Sequence, residues 1–226
     1  MTMRILNCLA LLFPLIGLQA ATFEQAAQEI VQVGAFLNQA KLCPATAGNF
    51  SMRLNENLIA VTASGKHKGE LTADDILTVD LKGKVQGSNK KPSSETLLHT
   101  MLYTLYPQIG AVLHTHSVAA VVLSRLSDSQ SLFVTEGYEI HKVFPGIQSH
   151  ESRIETPIFE NSQDMPKLAA KITAYLREHP NVYGFLLRGH GFYTWGRDMK
   201  EAKIRIEAFE HLFESETKLQ TSCRCN

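Results

Sequence analysis

The chain has 226 residues, of which 44% are apolar, and this is enough for one domain with a substantial hydrophobic core. Lysine and arginine together number 22, as do aspartate and glutamate, so the formal net charge is zero. This balance argues against a general binder of nucleic acids or acidic surfaces, which would carry a basic face, but it leaves room for a local anion site.

The first 22 residues are predicted to stand apart from the fold. Arg4 is followed by an apolar run over Ile5–Leu18 and then by the small residues Ala20 and Ala21, a pattern that resembles a secretory signal. The run is too short for a membrane span, and Pro14 interrupts it. The alternative is an extra N-terminal extension with no export role, and the composition of the segment leaves both readings open.

Hydrophobic periodicity predicts the elements that follow. An amphipathic helix runs from Thr22 to Leu42 and ends before Pro44, because the residue before a proline is pushed out of the helical region. The predicted strands are Phe50–Leu54, Leu58–Ala63, Ile76–Leu81, Ile109–His114, Val182–Leu187 and Phe192–Trp195. The predicted later helices are Ser93–Tyr106, Val118–Leu126, Pro166–His179 and Asp198–Leu219.

Several of these strands are joined by connections that are too short for parallel crossovers. We therefore predict a single α/β domain over residues 23–220, with a central mixed, largely antiparallel sheet flanked by helices. Residues 221–226 are predicted to form a short tail. The sequence contains no internal repeat, low-complexity stretch or interdomain linker.

The strongest chemical signal is the segment His114–Thr115–His116, at the end of an apolar strand. Residues two apart on a strand face the same side, so both imidazoles can reach one ion. A third imidazole can come from His190, whose flanking glycines allow a close backbone approach. Three neutral imidazoles with one free position are typical of a catalytic Zn²⁺ site. The alternative is that these histidines only pack or hydrogen-bond, as we interpret the histidines at positions 67, 99, 141, 150, 179 and 211.

Three loops that precede this motif can offer hydrogen-bond donors to an anion, and Lys66 and Lys68 can add positive charge. The donors would come from Gly48 and Asn49 in the first loop, Ser64 and Gly65 in the second, and Ser93 and Ser94 in the third. The third loop also opens a helix, whose N-terminal amides suit a phosphate dianion. Each loop has an ordinary alternative, because glycines form turns and serines cap helices. The sequence does not show whether the loops converge.

Two carboxylates are candidates for acid–base chemistry, because each lies beside an element that carries the motifs above. Glu95 follows the third loop, and Glu139 follows Gly137–Tyr138. The alternatives are a first-turn glutamate that favours the helix dipole, for Glu95, and a solvated surface charge, for Glu139. Acid–base assignment requires geometry, so both readings stay open at this point.

Taken together, these motifs resemble the class II aldolase/adducin-head family from about Phe23 to Phe213. The resemblance is carried by Pro44–Ser51, Ser64–Gly65, Pro92–Glu95, His114–His116 and Gly189–Gly191. The segments Gly137–Lys142, Pro145–Ile147 and Arg188–Gly196 resemble more specifically the dehydratases of this family. The chain departs from the pattern at Ala47, where relatives often carry serine or glycine, and in its signal-like extension.

The resemblance implies a lyase that dehydrates 5-methylthioribulose 1-phosphate to 5-methylthio-2,3-dioxopentyl 1-phosphate in methionine salvage. It implies one Zn²⁺ per subunit, bound by His114, His116 and His190, and a phosphate site formed by the six residues of the three loops. It implies an acid–base role for Glu139, with Glu95 as the second candidate. It also implies a homotetramer in the cytoplasm whose partner is a phosphorylated ketose, with neither nucleic acid nor a membrane as a partner.

Two alternatives use the same residues. A class II sugar-phosphate aldolase or epimerase would share the site and differ in the bond that changes, and the Gly137–Lys142 segment favours dehydration over both. A non-catalytic binding module, as in adducin heads, would have lost the metal ligands. This chain keeps all three histidines and both glutamates, so the site argues against that alternative.

Overall fold

The computed structural model describes residues 21–126 and 131–223. The predicted N-terminal extension, apart from its last two residues, lies outside the described residues, as does the end of the predicted tail. The helices are α1 (Phe23–Gln39), α2 (Thr96–Leu105), α3 (Val118–Leu126), α4 (Met165–Glu178) and α5 (Met199–Cys223). The strands are β1 (Asn49–Arg53), β2 (Leu58–Thr62), β3 (Ile76–Asp80), β4 (Val85–Gln86), β5 (Ala111–Thr115), β6 (Leu132–Glu136), β7 (Arg153–Phe159), β8 (Gly184–Leu187) and β9 (Gly191–Gly196).

The helix ends follow from local capping chemistry. α1 begins after Thr22, whose hydroxyl accepts a hydrogen bond from the Gln25 amide while the Gln25 side chain accepts one from the Thr22 amide. α4 begins after Asp164, whose carboxylate accepts a hydrogen bond from the Lys167 amide, and a proline occupies its first turn. The helix predicted at Val118–Leu126 has these bounds in the structure, and the other four differ from their predicted ends by about one turn or less.

The strands form one mixed sheet in the order β4-β3-β2-β1-β5-β9-β8-β7-β6. Every neighbouring pair in it is antiparallel except β7 and β8, which are parallel. The predicted α/β fold with a largely antiparallel central sheet is therefore confirmed. β5 occupies the middle of this sheet, between β1 and β9.

Helices cover both faces of the sheet, and each face has its own apolar core. On one face α1 and α5 pack with residues such as Leu113 of β5. On the other face α2 and α4 pack with the neighbouring residue Val112. Successive residues of a strand point to opposite faces, so β5 contributes to both cores and its residues are buried throughout. Because helices pack on both faces of β5, the position of the strand that leads to the predicted metal ligands is fixed within the core.

No element is predicted between Leu126 and Pro166, yet the structure has β6 and β7 there. Pro157 lies inside β7 and has no amide hydrogen to donate, which weakens the strand signal of that segment. β6 then covers one edge of β7 and completes the sheet.

A buried carboxyl group lies under β5, on α5. Glu210 is 6% exposed, its Oε1 accepts a hydrogen bond of 3.5 Å from the Thr115 hydroxyl, and its Oε2 has no partner among the described residues. Burial raises the pKa of Glu210 to about 7; the nearby Ser117 hydroxyl opposes the shift, and the negative charge of Glu214 adds to it. A carboxyl whose pKa is raised in the folded state contributes stability at low pH that is lost as pH rises through the folded pKa.

We therefore expect the Glu210→Gln variant to become more stable relative to the wild type as pH rises. Relative to the wild type, its free energy of unfolding should gain up to about 3 kcal/mol between pH 4.5 and pH 8, because the wild type alone must ionise a buried group. Denaturant unfolding of both proteins at pH 5 and pH 8, at one metal concentration, measures this gain. Glu207→Gln, at an exposed position of the same helix, is the matched control. A stability difference that is the same at both pH values would contradict the assignment.

Candidate active site

The predicted metal ligands lie where the end of one strand is next to the beginning of its antiparallel neighbour. β5 ends at Thr115, directly before His116, and β9 begins at Gly191, directly after His190. The two strands are antiparallel neighbours, so the end of β5 lies beside the beginning of β9. The sheet register therefore brings together histidines that are more than seventy residues apart in the sequence.

Three imidazoles and one carboxylate form a compact cluster at this place. The Nε2 atom of His114 lies 2.8 Å from that of His116 and 3.3 Å from that of His190. The Glu95 carboxylate adds Oε1 at 3.1 Å from His190 Nε2 and Oε2 at 3.4 Å from His114 Nε2. One ligand atom from each of the four residues lies within 4.8 Å of all the others. We call these four residues the histidine cluster.

The far sides of two imidazoles are already engaged by protein oxygens. His114 Nδ1 donates to the Phe192 carbonyl at 3.0 Å, and His190 Nδ1 donates to Asn161 Oδ1 at 3.2 Å. With their protons on Nδ1, both rings turn Nε2 lone pairs towards each other. Outer partners of this kind orient the histidines of metal sites.

Burial keeps His114 and His116 uncharged. It lowers the pKa of His114 well below its ordinary value, and the neighbouring His116 and His190 lower it further. Burial and His190 also lower the pKa of His116, to about 4. Neutral imidazoles whose lone pairs converge are the donor set that a divalent transition-metal ion takes, so the residues fit a bound metal.

Gly191 permits the close contact of the two strands. A Cβ atom at this position would lie 2.1 Å from the Thr115 carbonyl oxygen and 3.0 Å from His114 Cε1. No residue other than glycine fits there without moving β9 away from β5. The flanking glycines predict a close backbone approach, and it is present at Gly191. There the backbone of β9 lies against the backbone of β5 and the imidazole of His114.

A buried hydrogen-bond chain holds the Glu95 carboxylate. Asn49 Nδ2 donates to Glu95 Oε2 at 2.6 Å and to Ser93 Oγ at 3.1 Å, while its Oδ1 accepts from His99 Nε2. The other ring nitrogen of His99 accepts from the Ser51 hydroxyl at 2.7 Å. Both N–H donors of the Asn49 side chain are thus used inside the protein. His99, whose sequence position predicts only an ordinary helix residue, supports Glu95 through Asn49.

Tyr193 is a further site residue that sequence reasoning missed. It pairs with His114 across β5 and β9, and the two rings stack at a centroid distance of 3.9 Å. Burial, and then the negative charge of Glu95, raise the pKa of the Tyr193 phenol far above its ordinary value. A neutral phenol therefore lies beside the carboxylate. The sequence could not identify Tyr193, because its position opposite His114 depends on the register between β5 and β9.

A cavity of about 240 Å³ opens beside the histidine cluster. Five of the six predicted anion-binding residues line it, namely Gly48, Asn49, Ser64, Gly65 and Ser93. Glu95 and His116 line the same cavity, so the three loops converge and open towards the cluster. Ser94 is exposed and does not line it. In the described part of the chain, larger surface depressions such as one of about 710 Å³ beside Tyr183 contain none of the predicted site residues.

The structure does not bring Glu139 to this cavity within one chain. It lies at the start of a short 3₁₀ helix, Glu139–Val143, with a side chain that is 71% exposed. Its carboxylate pairs with Lys142 and lies 4.0 Å from His150 Nδ1. Lys142 lowers its pKa, which keeps it an ionised surface group. The catalytic role of Glu139 stays a prediction.

Comparisons with known proteins agree with this geometry. The family model described as Class II Aldolase and Adducin N-terminal domain matches residues 28–217. The chain belongs to this family. Among solved structures, YgbL from Klebsiella pneumoniae has a TM-score of 0.72 at 28% identity, covering 89% of this chain and 91% of that one. The L-fuculose-1-phosphate aldolase from Thermus thermophilus has a TM-score of 0.71 at 26% identity, covering 88% of this chain and 96% of that one.

Curated relatives are more similar than these structures. A methylthioribulose-1-phosphate dehydratase of Pseudomonas fluorescens (strain Pf0-1) is 53% identical over 200 residues, which is 88% of this chain and 96% of that protein. One of Marinobacter nauticus is 50% identical over 194 residues, 86% of this chain and 93% of that protein. None of the helices in the described part of the chain combines the length and the apolar character that a membrane span requires.

The histidine cluster predicts one divalent metal ion per chain. We expect His116→Ala and His190→Ala each to weaken metal binding by at least the roughly 10- to 100-fold that loss of an outer-shell partner costs. Equilibrium dialysis followed by elemental analysis measures the bound metal. His179→Ala is the control, since His179 is an exposed histidine stacked on Tyr175 and outside the cluster. Equal metal content in all four proteins, the wild type included, would rule the site out.

Proposed function

We propose that this chain dehydrates 5-methylthioribulose 1-phosphate to 5-methylthio-2,3-dioxopentyl 1-phosphate, as a step of methionine salvage. The observation that carries the proposal is that one cavity is lined by the anion loops and also by Glu95 and His116 of the histidine cluster. One ketose phosphate can therefore place its phosphate and its carbonyl group in the two parts of the same site. The choice of substrate rests on the names of relatives that are 50–53% identical over most of both chains.

We propose Zn²⁺ as the metal, held by His114, His116 and His190 with Glu95 beside it. Three imidazoles with a further open position are the ligand set of catalytic zinc. When bound, the ion supplies Lewis acidity for a carbonyl oxygen, without redox chemistry. Gly48, Ser64, Gly65 and Ser93 then bind the phosphate group, and Ser94 joins them only if its loop moves inward, since its side chain is exposed.

Within one chain, Glu95 is the carboxylate that can act as acid and base. It is buried at the edge of the cavity, and Asn49 fixes its orientation through the 2.6 Å hydrogen bond. It removes the proton from C3 of the substrate, and the C4 hydroxyl group leaves as water after taking up a proton. The resulting enol tautomerises to the 2,3-diketone, so that the net change is the loss of one water molecule. The phenol of Tyr193 beside Glu95 is neutral, so it places no second negative charge next to the carboxylate.

Glu139 can share this acid–base role only in an assembly. Its carboxylate is exposed and outside the cavity of its own chain, so a second copy would have to supply it. The homotetramer that the family resemblance implies is the assembly we propose. A phosphorylated metabolite as substrate is also the reason to propose a cytoplasmic location.

A class II aldolase is the second candidate, favoured by the 26% identity and matching fold of L-fuculose-1-phosphate aldolase. The same carboxylate and imidazoles could serve cleavage of the C3–C4 bond instead of loss of the C4 hydroxyl group. The two reactions differ in product mass. The full chain, supplied with 5-methylthioribulose 1-phosphate, should give a single product lighter by one water, and a chelator should abolish it. Two carbon fragments would establish the aldolase instead.

Paired glutamate variants test the acid–base assignment. Glu95→Gln should keep its bound metal, because the three imidazoles remain, and lose roughly 10²–10⁴-fold in turnover, as is usual for a lost general acid or base. Glu139→Gln is the companion variant, and its turnover relative to wild type is measured in the same assay. A normal rate for Glu95→Gln with a large loss for Glu139→Gln would transfer the role to Glu139 and require a site shared between subunits.

A further inference from the structure

Lys68 is a buried lysine that the proposed function does not yet use. It is 2% exposed, although lysine is almost never fully buried unless it has a partner. It lies at the start of a short 3₁₀ helix, Lys68–Glu70, directly after the second anion loop. It also lines the 240 Å³ cavity, together with Gly48, Gly65 and Ser93.

The Lys68 ammonium group joins two of the anion loops. Its Nζ donates to the Thr46 carbonyl of the first loop at 2.8 Å and to the Lys66 carbonyl of the second loop at 2.6 Å. An ammonium group has three N–H donors, so these two bonds leave one donor for a further partner. The nitrogen is thereby held where the two loops face the same cavity.

The charge of Lys68 has no close counter-ion in the described residues. None of their carboxylates lies within 4.0 Å of its Nζ, whereas the neighbouring Lys66 pairs with Asp75 at 2.9 Å. The Cys43 thiol is close enough to interact, but burial raises its pKa to about 12 and keeps it uncharged. Glu95 lines the same cavity and contributes a longer-range attraction. A buried cation without a close anion is costly, and a bound anion removes that cost.

We propose that Lys68 binds the phosphate group of the substrate directly and supplies the positive charge of the phosphate pocket. This inference rests on the proposed function for the identity of the ligand. The loop residues offer neutral donors, and a phosphate dianion enclosed by neutral donors alone would lose much of its hydration without gaining a counter-charge. Lys68 provides that charge at the junction of the loops, and one of its N–H donors is left for the phosphate group.

The alternative is that Lys68 only fastens the two loops together. The two roles differ in what a neutral substitute loses. A loop fastener, when replaced, would lower thermal stability and disturb the neighbouring Glu95 and His116, and so the metal content. A phosphate-binding cation would lose affinity for anions while the metal site stays intact.

The test uses the full chain loaded with Zn²⁺ and measures inorganic phosphate binding by calorimetry. Lys68→Met and Lys68→Gln should each weaken phosphate binding roughly 10- to 100-fold, as expected for a lost hydrogen bond to a charged group. Their zinc content and melting temperature should stay close to wild type. Lys84→Met is the control, because Lys84 is an exposed lysine that does not line the cavity. It should bind phosphate as the wild type does.

Several results would overturn the proposal. Wild-type phosphate affinity in both Lys68 variants would remove the contact, and failure of both to fold, or loss of zinc together with phosphate, would make Lys68 a loop fastener. Binding of dihydroxyacetone phosphate should depend on Lys68 as binding of inorganic phosphate does, whereas binding of dihydroxyacetone, which has no phosphate group, should not. Phosphate binding needs no turnover. If Lys68 governs phosphate affinity but no dehydration occurs, the proposed function fails and the pocket assignment stands.

Discussion

The antiparallel contact between β5 and β9 is the constraint on which the rest of the site depends. It sets His114 opposite Tyr193 and Thr115 opposite Phe192, and so places the chain entering β9 beside the chain leaving β5. The two backbones lie so close together at Gly191 that there is no room for a side chain, because a Cβ atom there would collide with the Thr115 carbonyl oxygen. A single glycine thus determines whether His190 can reach the other two imidazoles.

The same central strand also fixes the carboxylate, through its other neighbour. Asn49 of β1 pairs with His114 of β5 and carries the amide that holds Glu95. Behind it, His99, Ser51 and Tyr103 form a buried polar chain in which each member has a hydrogen-bond partner. Buried polar groups are costly when unpaired and rigid when satisfied. The sheet therefore holds the metal-binding imidazoles and the acid–base candidate in one frame.

The sequence predicted the part of the site that local patterns encode. The two-residue period of a strand pointed to His114 and His116, and the glycines around His190 marked a close approach. Other features depend on long-range packing. His99 lies four residues after Glu95, on the same face of α2, but only the fold shows that Asn49 connects them. β7 was not predicted because Pro157 weakens its strand pattern. The burial of Lys68 was not predicted because lysines are ordinarily exposed.

The distribution of charge in the cavity bears on how a substrate would be oriented. Lys68 lies where the anion loops meet, and Glu95 and His116 line the part of the cavity that adjoins the other metal-binding imidazoles. A ketose phosphate has a dianion at one end and a carbonyl group close to it, so only one orientation sets the phosphate against the ammonium group and the carbonyl against the metal ligands. The reversed orientation would press the dianion against the Glu95 carboxylate, and like charges that close repel strongly in a cavity screened from water. In the proposed function, this polarity selects the carbon from which the proton is taken, before any contact with the rest of the sugar.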